Sequence, residues 1–103
     1  MYFCIYKLYL VPNLIYVGMT TNFRRRLRDH KAGRGSIYTI GRIIHDHGIL
    51  WQGNVNNKYH AMLIENAQAR RQAQQNPGYQ VVGGELTARY KKIVIRKAFS
   101  RKL

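Results

Sequence analysis

Apolar residues predominate over residues 2–18, and many of them are aromatic or otherwise β-favouring, which predicts two strands joined by a Val-Pro-Asn turn. If Leu10 pairs with Leu14 across this turn, facing residues share the same parity along the chain. Tyr6 and Tyr16 then lie on one face of the hairpin as diagonal neighbours. A slip of one residue in register would separate them.

A helix is predicted to begin at Phe23, because residues 20–22 are Thr, Thr and Asn, which are good N-cap residues. Gly33 can end this helix. Arg26 and His30 are four residues apart and are expected at the edge of its apolar stripe. The helix therefore presents an arginine and a histidine together, one turn apart.

Farther along, apolar positions at helical spacing predict another helix that ends at Gly48. These positions are Ile40, Ile43, Ile44 and His47. A short third strand is expected at Ile49–Gly53, and a longer helix over Lys58–Gln75. Asn57 can cap the longer helix, and Asn76–Gly78 contains the proline and glycine that stop it.

Beyond Gly84, the apolar residues leave two interpretations open. The spacing of Leu86, Tyr90 and Ile93 fits a helix, whereas the run Ile93–Ile95 fits a strand. We therefore assign no secondary structure to this end of the chain from the sequence.

The length of 103 residues fits one domain, and 46% hydrophobic residues are enough for a modest core. The one cysteine, Cys4, excludes an intrachain disulfide framework and favours a reducing compartment. No apolar stretch is long enough for a membrane span, and the first residues lack the pattern of a secretory signal. We expect an intracellular protein that does not bind membranes, located in the cytoplasm, or in the host-cell cytoplasm if a phage encodes it.

Charge is the strongest compositional signal. Eighteen Lys and Arg residues and four acids give a formal net charge of +14. A domain this basic repels itself unless it meets a polyanion, and the usual polyanion is a nucleic-acid backbone. Residues 89–102 alone carry seven cations and no acid, so we expect this segment to contact DNA rather than to be a frayed basic end.

Two tyrosine-containing tripeptides, an arginine, a histidine and a glutamate then occur in an order that resembles the GIY-YIG endonuclease superfamily over roughly residues 2–80. The matching residues are Cys4-Ile5-Tyr6, Tyr16-Val17-Gly18, Arg26, His30 and Glu65. Ten positions separate Tyr6 from Tyr16, and ten more separate Tyr16 from Arg26. Each tripeptide alone is a weak signal, but the ordered set is specific.

The resemblance implies an α+β domain over residues 1–103, with its core at about 2–80 and a basic segment at 85–103. It implies a small sheet of about three antiparallel strands flanked by helices. It also implies metal-dependent hydrolysis of DNA phosphodiester bonds with Mg²⁺ (or Mn²⁺). So small a chain has little room for a recognition domain, so low sequence specificity or selection of branched, nicked or flapped DNA is expected. A homodimer or a partner protein that supplies specificity stays open.

The candidate catalytic residues suit this chemistry by type. Arg26 can bind a phosphate in fork geometry, and His30 can position water or a phosphate oxygen, or relay a proton. A tyrosine in a basic site can act as general base; the sequence does not decide which one, and we favour Tyr6 with Tyr16 orienting. Glu65 is the expected ligand of the metal ion.

Two positions depart from the family pattern. Cys4 replaces the first glycine, which is tolerable if the strand needs no positive φ there. The family's asparagine after the glutamate helix is absent, so Gln80, or Asn76 before the proline, would have to replace it. We expect DNA contacts from Arg24, Arg25, Arg28, Lys31, Arg34, Gln80, Arg89, Lys91 and Lys92.

The alternative hypothesis is a non-catalytic nucleic-acid-binding protein that retains the nuclease fold. Taken singly, each site residue has an ordinary structural explanation: the tyrosines as strand packing, Arg26 and His30 as surface residues, and Glu65 as a good helix former. The ordered combination of all five favours the enzyme.

Overall fold

The β-favouring residues of Tyr2–Leu10 and the capped helical segments form most of the predicted elements in the computed structural model, which describes residues 1–83. In chain order the elements are β1 (Tyr2–Leu10), β2 (Leu14–Thr20), α1 (Phe23–Lys31), β3 (Ile44–Asn54), α2 (Lys58–Gln75) and β4 (Gln80–Val82). The predictions for the basic segment at 85–103, including its helix or strand, lie outside the described residues. Neither described helix has the length and hydropathy needed to cross a membrane.

The hairpin register is the one expected if Leu10 pairs with Leu14 across the turn. β1 and β2 are antiparallel, Leu10 pairs with Leu14, and Leu8 pairs with Tyr16. Tyr6 lies two residues before Leu8 on β1, so its side chain emerges on the same face as that of Tyr16. The predicted diagonal arrangement of the two phenols is confirmed.

The sheet has the strand order β3-β1-β2-β4 and is buried on both faces. On one face, Phe23 and Leu27 of α1 pack against a cluster that contains Tyr6. On the other face, Ala69 of α2 packs against a cluster that contains Ile5. The α+β class is confirmed. The sheet is mixed rather than three-stranded and antiparallel, because β4 adds to β2 in parallel.

The predicted helix over Ile40–Gly48 is wrong. A turn precedes the strand β3, which starts at Ile44, so the short third strand expected at Ile49–Gly53 is longer than predicted. Gly41 has a φ of +73°, a conformation outside the helical region. β1 pairs with β3 along its whole length, so the hydrogen bonds of the sheet override an apolar spacing that by chance fits a helix.

Both of the other helices begin at their predicted caps. The side chain of Asn22 accepts a hydrogen bond from the backbone N–H of Arg25 at 3.1 Å, and that of Asn57 accepts one from His60 at 2.9 Å. Gly33 follows α1 with a φ of +78°. α1 therefore leaves β2 directly and lies over the face that carries the two tyrosines.

Candidate active site

The tyrosine pair lies in the middle of the hairpin, on the face that α1 covers. The rings of Tyr6 and Tyr16 are 6.2 Å apart between centroids. Tyr6 is fully buried, whereas Tyr16 is partly exposed. Gly18 allows this arrangement, because a Cβ at Gly18 would lie 2.5 Å from the Tyr6 hydroxyl and 2.9 Å from the Tyr16 ring. The glycine that ends the second tripeptide is thus required by close packing against both phenols.

His30 is the buried residue of α1, with 2% of its surface exposed, and does not lie at the edge as the helical stripe predicted. Its Nε2 is 2.8 Å from the hydroxyl oxygen of Tyr6. Its ring centroid is 5.2 Å from that of Tyr16. The histidine therefore contacts both phenols from the helix side.

A chain of hydrogen bonds fixes the tautomer of His30. The hydroxyl of Thr39 donates to the backbone carbonyl of Ser36 at 3.1 Å, since a carbonyl can only accept. With its one proton so used, the Thr39 oxygen accepts from Nδ1–H of His30 at 2.9 Å. Nε2 is then unprotonated and accepts a hydrogen bond from the hydroxyl group of Tyr6. The hydrogen bonds therefore all run in one direction: Tyr6 donates to His30, His30 donates to Thr39, and Thr39 donates to the backbone carbonyl of Ser36.

The electrostatic environment keeps the hydrogen-bonded side chains of Tyr6 and His30 uncharged. Burial, together with the charge of Arg26, lowers the pKa of His30 to about 4, against a smaller opposite effect of Asp29. Burial also raises the pKa of Tyr6 above its usual value, with added repulsion from Tyr16 and Glu65; Arg26 opposes this rise. At neutral pH the imidazole is therefore uncharged and the Tyr6 phenol keeps its proton.

Arg26 faces the phenols from α1, one turn before His30. One of its terminal amino groups (Nη2) donates to the backbone carbonyl of Gly35 at 2.7 Å. Burial lowers the pKa of Arg26, but its interactions with Tyr6 and Tyr16 outweigh burial and raise it overall. The guanidinium is thus charged, anchored at one end, and still partly exposed.

An open polar pocket of about 240 Å³ adjoins the guanidinium at the start of α1. It is lined by Thr20, Thr21, Asn22, Arg25, Arg26 and Asp29. Solvent thus reaches Arg26 from this side, while His30 and Tyr6 are closed off behind it. A phosphate oxygen can approach the arginine here without disturbing the buried chain.

The loop after α1 supports the site, a role that no sequence pattern predicted. Gly35 supplies the carbonyl that holds Arg26, and its Cα lies so close to the ring of His30 that a Cβ there would overlap the ring. Thr39 holds the other side of the same ring. Only the Gly33-Arg34-Gly35-Ser36 composition was visible in the sequence, and it indicates a loop without showing what the loop contacts.

Glu65 lies on α2, on the far side of the sheet from α1, and is half-buried. Its charge is near enough to raise the pKa of Tyr6. Within residues 1–83, no group of three or more His, Cys, Asp or Glu side chains is placed to hold a metal ion. Mg²⁺ keeps most of its waters and takes other ligands from phosphate, so one protein carboxylate is enough to hold it.

The structure therefore places four of the five candidate catalytic residues in one cluster: Tyr6, Tyr16, Arg26 and His30. The fifth, Glu65, affects this cluster through its charge, which raises the pKa of Tyr6. Cys4 lies in β1 without positive φ, as its tolerance in place of glycine requires, and burial raises the pKa of its thiol. Asn76 ends α2, where its side chain donates to the carbonyl of Gln72, so its amide has a structural role. Gln80 starts β4 opposite Leu14, exposed and one pleat away from the level of Tyr16.

The cations predicted to contact DNA divide into two groups. Those in the described residues are all exposed: Arg24, Arg25, Arg28, Lys31 and Arg34. Arg34 also pairs with Asp29 at 3.5 Å, a surface contact of small energetic value. Arg89, Lys91 and Lys92 lie outside the described residues.

Comparison with known proteins agrees with this geometry. The family model of the GIY-YIG catalytic domain matches residues 2–76, which includes every candidate catalytic residue. Over 38 residues the chain is 45% identical to a UPF0213 protein of Natronomonas pharaonis, a match that covers 37% of this chain and 45% of that protein. The chain thus matches less than half the length of that relative, and no solved structure matched it. On the family match, which spans most of its length, the chain belongs to the GIY-YIG family of nuclease domains.

Proposed function

We propose that this protein is a metal-dependent endonuclease that hydrolyses phosphodiester bonds in DNA. The observation that carries the proposal is the convergence of two phenols, an arginine and a neutral histidine on one face of the sheet, with Nε2 of His30 2.8 Å from the Tyr6 hydroxyl. Phosphodiester hydrolysis needs an activated water, charge stabilisation at the phosphoryl oxygens and help for the leaving oxygen. The net charge of +14 supplies attraction to the DNA backbone.

In this proposal, Arg26 binds the non-bridging oxygens of the scissile phosphate. Its anchor on the carbonyl of Gly35 fixes the direction of the guanidinium, which lines the open pocket that a phosphate can enter. Since negative charge on the phosphoryl oxygens grows in the transition state, a fixed guanidinium stabilises that state more than the bound substrate.

The two tyrosines take different parts. Tyr6 is fully buried, and its hydroxyl already donates a hydrogen bond to His30. An attacking water therefore cannot reach this hydroxyl from the solvent side. Tyr16 is the partly exposed phenol, and we assign to it the contact with water. This reverses the order favoured from the sequence alone. Tyr6 and His30 form the buried part of the proton path behind it.

Glu65 would hold the metal ion, which when bound would stabilise charge on the phosphate and polarise water. The half-buried position of this carboxylate and its effect on the pKa of Tyr6 support the assignment. In this proposal Glu65 is the protein ligand of the metal ion, and oxygens of the DNA phosphate are its other ligands.

A plasmid-nicking assay with and without Mg²⁺ tests the function, with Glu65→Gln as the decisive variant. The amide is neutral and a poor ligand for a hard cation, so nicking should fall to background while DNA affinity is kept or slightly increased. Asp46→Asn is the matched control, because it removes one exposed negative charge on β3, away from the site.

Asp46→Asn should nick at the wild-type rate. Full nicking by Glu65→Gln would remove the glutamate from the mechanism. DNA binding by the wild-type protein without nicking in Mg²⁺ or Mn²⁺ would favour the alternative of a binding protein that retains the nuclease fold.

A further inference from the structure

Three isoleucines between α1 and β3 are exposed to an unusual degree. Ile37 is 71% exposed, Ile40 is 56% exposed and Ile43 is 69% exposed. Scattered apolar residues are normal on a protein surface, but three large aliphatic side chains within seven positions of one loop mark a contact surface. We refer to these three side chains as the isoleucine ridge.

The isoleucine ridge belongs to the same loop that supports the candidate active site. Thr39, between the first two isoleucines, is buried and holds Nδ1 of His30. The backbone N–H groups of Thr39 and Ile40 both bond to the carbonyl of Ser36, so this part of the loop is a hydrogen-bonded turn. Its inner side chain holds the catalytic histidine, and its outer side chains project into solvent.

The charge around the isoleucine ridge identifies its partner. Arg34 and Arg42 lie in the same loop, and no acidic residue occurs from His30 to His45. Another copy of this chain would bring a charge of +14 against the same cations. A polyanion with apolar faces fits better, and DNA has both: phosphates for the arginines, and base or sugar surfaces for the isoleucines.

We propose that the isoleucine ridge contacts bases and sugars of the DNA substrate beside the scissile phosphate, as an apolar wedge at a poorly stacked step. The inference rests on the proposed function for the identity of the substrate and adds how that substrate is selected. A nicked, mismatched or branched step unstacks at lower cost than intact duplex, so the ridge favours such DNA. The Gly35 carbonyl that holds Arg26 belongs to the same loop, which places the ridge next to the phosphate site.

The test measures binding without cleavage, in EDTA, to a duplex with 2-aminopurine beside a mismatch and to the matched duplex. The double variant Ile37→Ala/Ile40→Ala should bind the mismatched duplex about tenfold more weakly, the scale of two lost partly buried side chains. It should also lose the rise in 2-aminopurine fluorescence that reports unstacking. Affinity for the matched duplex should change little.

The matched control is Met62→Ala/Leu63→Ala, which removes two exposed apolar side chains from α2 on the other face of the sheet. It should bind both duplexes as the wild type does. Thermal melting followed by circular dichroism should show all variants folded, since the replaced side chains are exposed.

Wild-type binding and fluorescence in the isoleucine variant would overturn the inference. So would conversion of a wild-type dimer to a monomer in sedimentation with DNA binding intact, because the ridge would then be a contact between copies. The outcome is separate from that of the proposed function, since binding in EDTA does not depend on cleavage. Loss of mismatch binding by the variant would support the ridge even if no protein nicked DNA.

Discussion

Arg26 and His30 are one helical turn apart on α1, yet their surroundings differ. Arg26 is partly exposed beside a pocket that opens to solvent, whereas His30 is buried between Tyr6 and Thr39. Helical spacing predicted that the two would be near each other but not which of them would be buried, because a periodicity gives a face and not a depth. Their tests accordingly measure different quantities: charge stabilisation for one and proton geometry for the other.

Arg26→Ala should reduce turnover by about 10²-fold or more, the scale of one lost transition-state donor. Arg24→Ala is the matched control, since Arg24 is an exposed arginine of the same helix. It should weaken DNA binding and lower the slope of log affinity against log salt by about one unit, with turnover of bound DNA unchanged. Single-turnover cleavage and binding at several salt concentrations measure both quantities. Equal behaviour of the two variants would make Arg26 only part of a solvated basic patch.

Thr39 is a positioning residue, because it acts on the reaction only through His30. Thr39→Val keeps the shape but removes the acceptor for Nδ1–H, so the tautomer preference should weaken and turnover should fall by about 10–100-fold, as for other orienting hydrogen-bond partners. Thr39→Ser should restore both. The ¹⁵N shifts of the His30 ring report the tautomer independently of activity. An unchanged tautomer and rate in Thr39→Val would mean that Thr39 merely fills space.

At the scale of elements, the sequence predicts what local patterns determine. The hairpin follows from its β-favouring residues and the turn between them, and the helix starts at Phe23 and Lys58 follow from their asparagine caps. β3 could not be placed from local pattern, because its extended form depends on pairing with β1, far away in the sequence. The role of the loop at 33–39 could not be predicted either, because it depends on contacts with Arg26 and His30 of α1 that produce no periodic pattern in the sequence.

Gly35→Ala tests whether that loop is built around the histidine. The added methyl would overlap the His30 ring, so we expect destabilisation of about 1–3 kcal/mol and a fall in turnover as the ring and the Arg26 anchor shift. Gly78→Ala is the control: a Cβ there meets nothing within 4 Å, and stability should change by less than about 0.5 kcal/mol. Urea unfolding gives both values. Equal stability of the two variants would contradict the close packing of Gly35.

At the scale of the whole molecule, the two faces of the sheet have separate tasks. The face under α1 combines an apolar cluster with the polar groups of Tyr6 and His30. The face under α2 is mainly an apolar core that contains Ile5, Ile15 and Val17. The order of residues along the chain, read together with the family pattern, identified which side chains meet. It could not give the hydrogen-bond chain from Tyr6 to Ser36, because Thr39 lies in no recognisable motif.

Buried polar chemistry of this kind makes global stability depend on pH. The pKa of His30 is about 4 in the folded protein and about 6.5 in an unfolded chain, so below pH 6.5 the unfolded state binds a proton that the folded state does not. The contribution of a neutral His30 is complete above pH 6.5 and is lost as the pH falls toward 4. The loss should reach about 3 kcal/mol of unfolding free energy, at 1.36 kcal/mol for each pH unit.

Urea unfolding of the wild type and of His30→Gln between pH 7 and pH 4 isolates this effect, since glutamine does not titrate and the four acids are common to both proteins. The difference in unfolding free energy between the two proteins should shrink as the pH falls. His60→Gln, at an exposed position on α2, is the matched control for the replacement of a histidine by glutamine. A constant difference between wild type and His30→Gln across this range would mean that burial does not lower the pKa of His30.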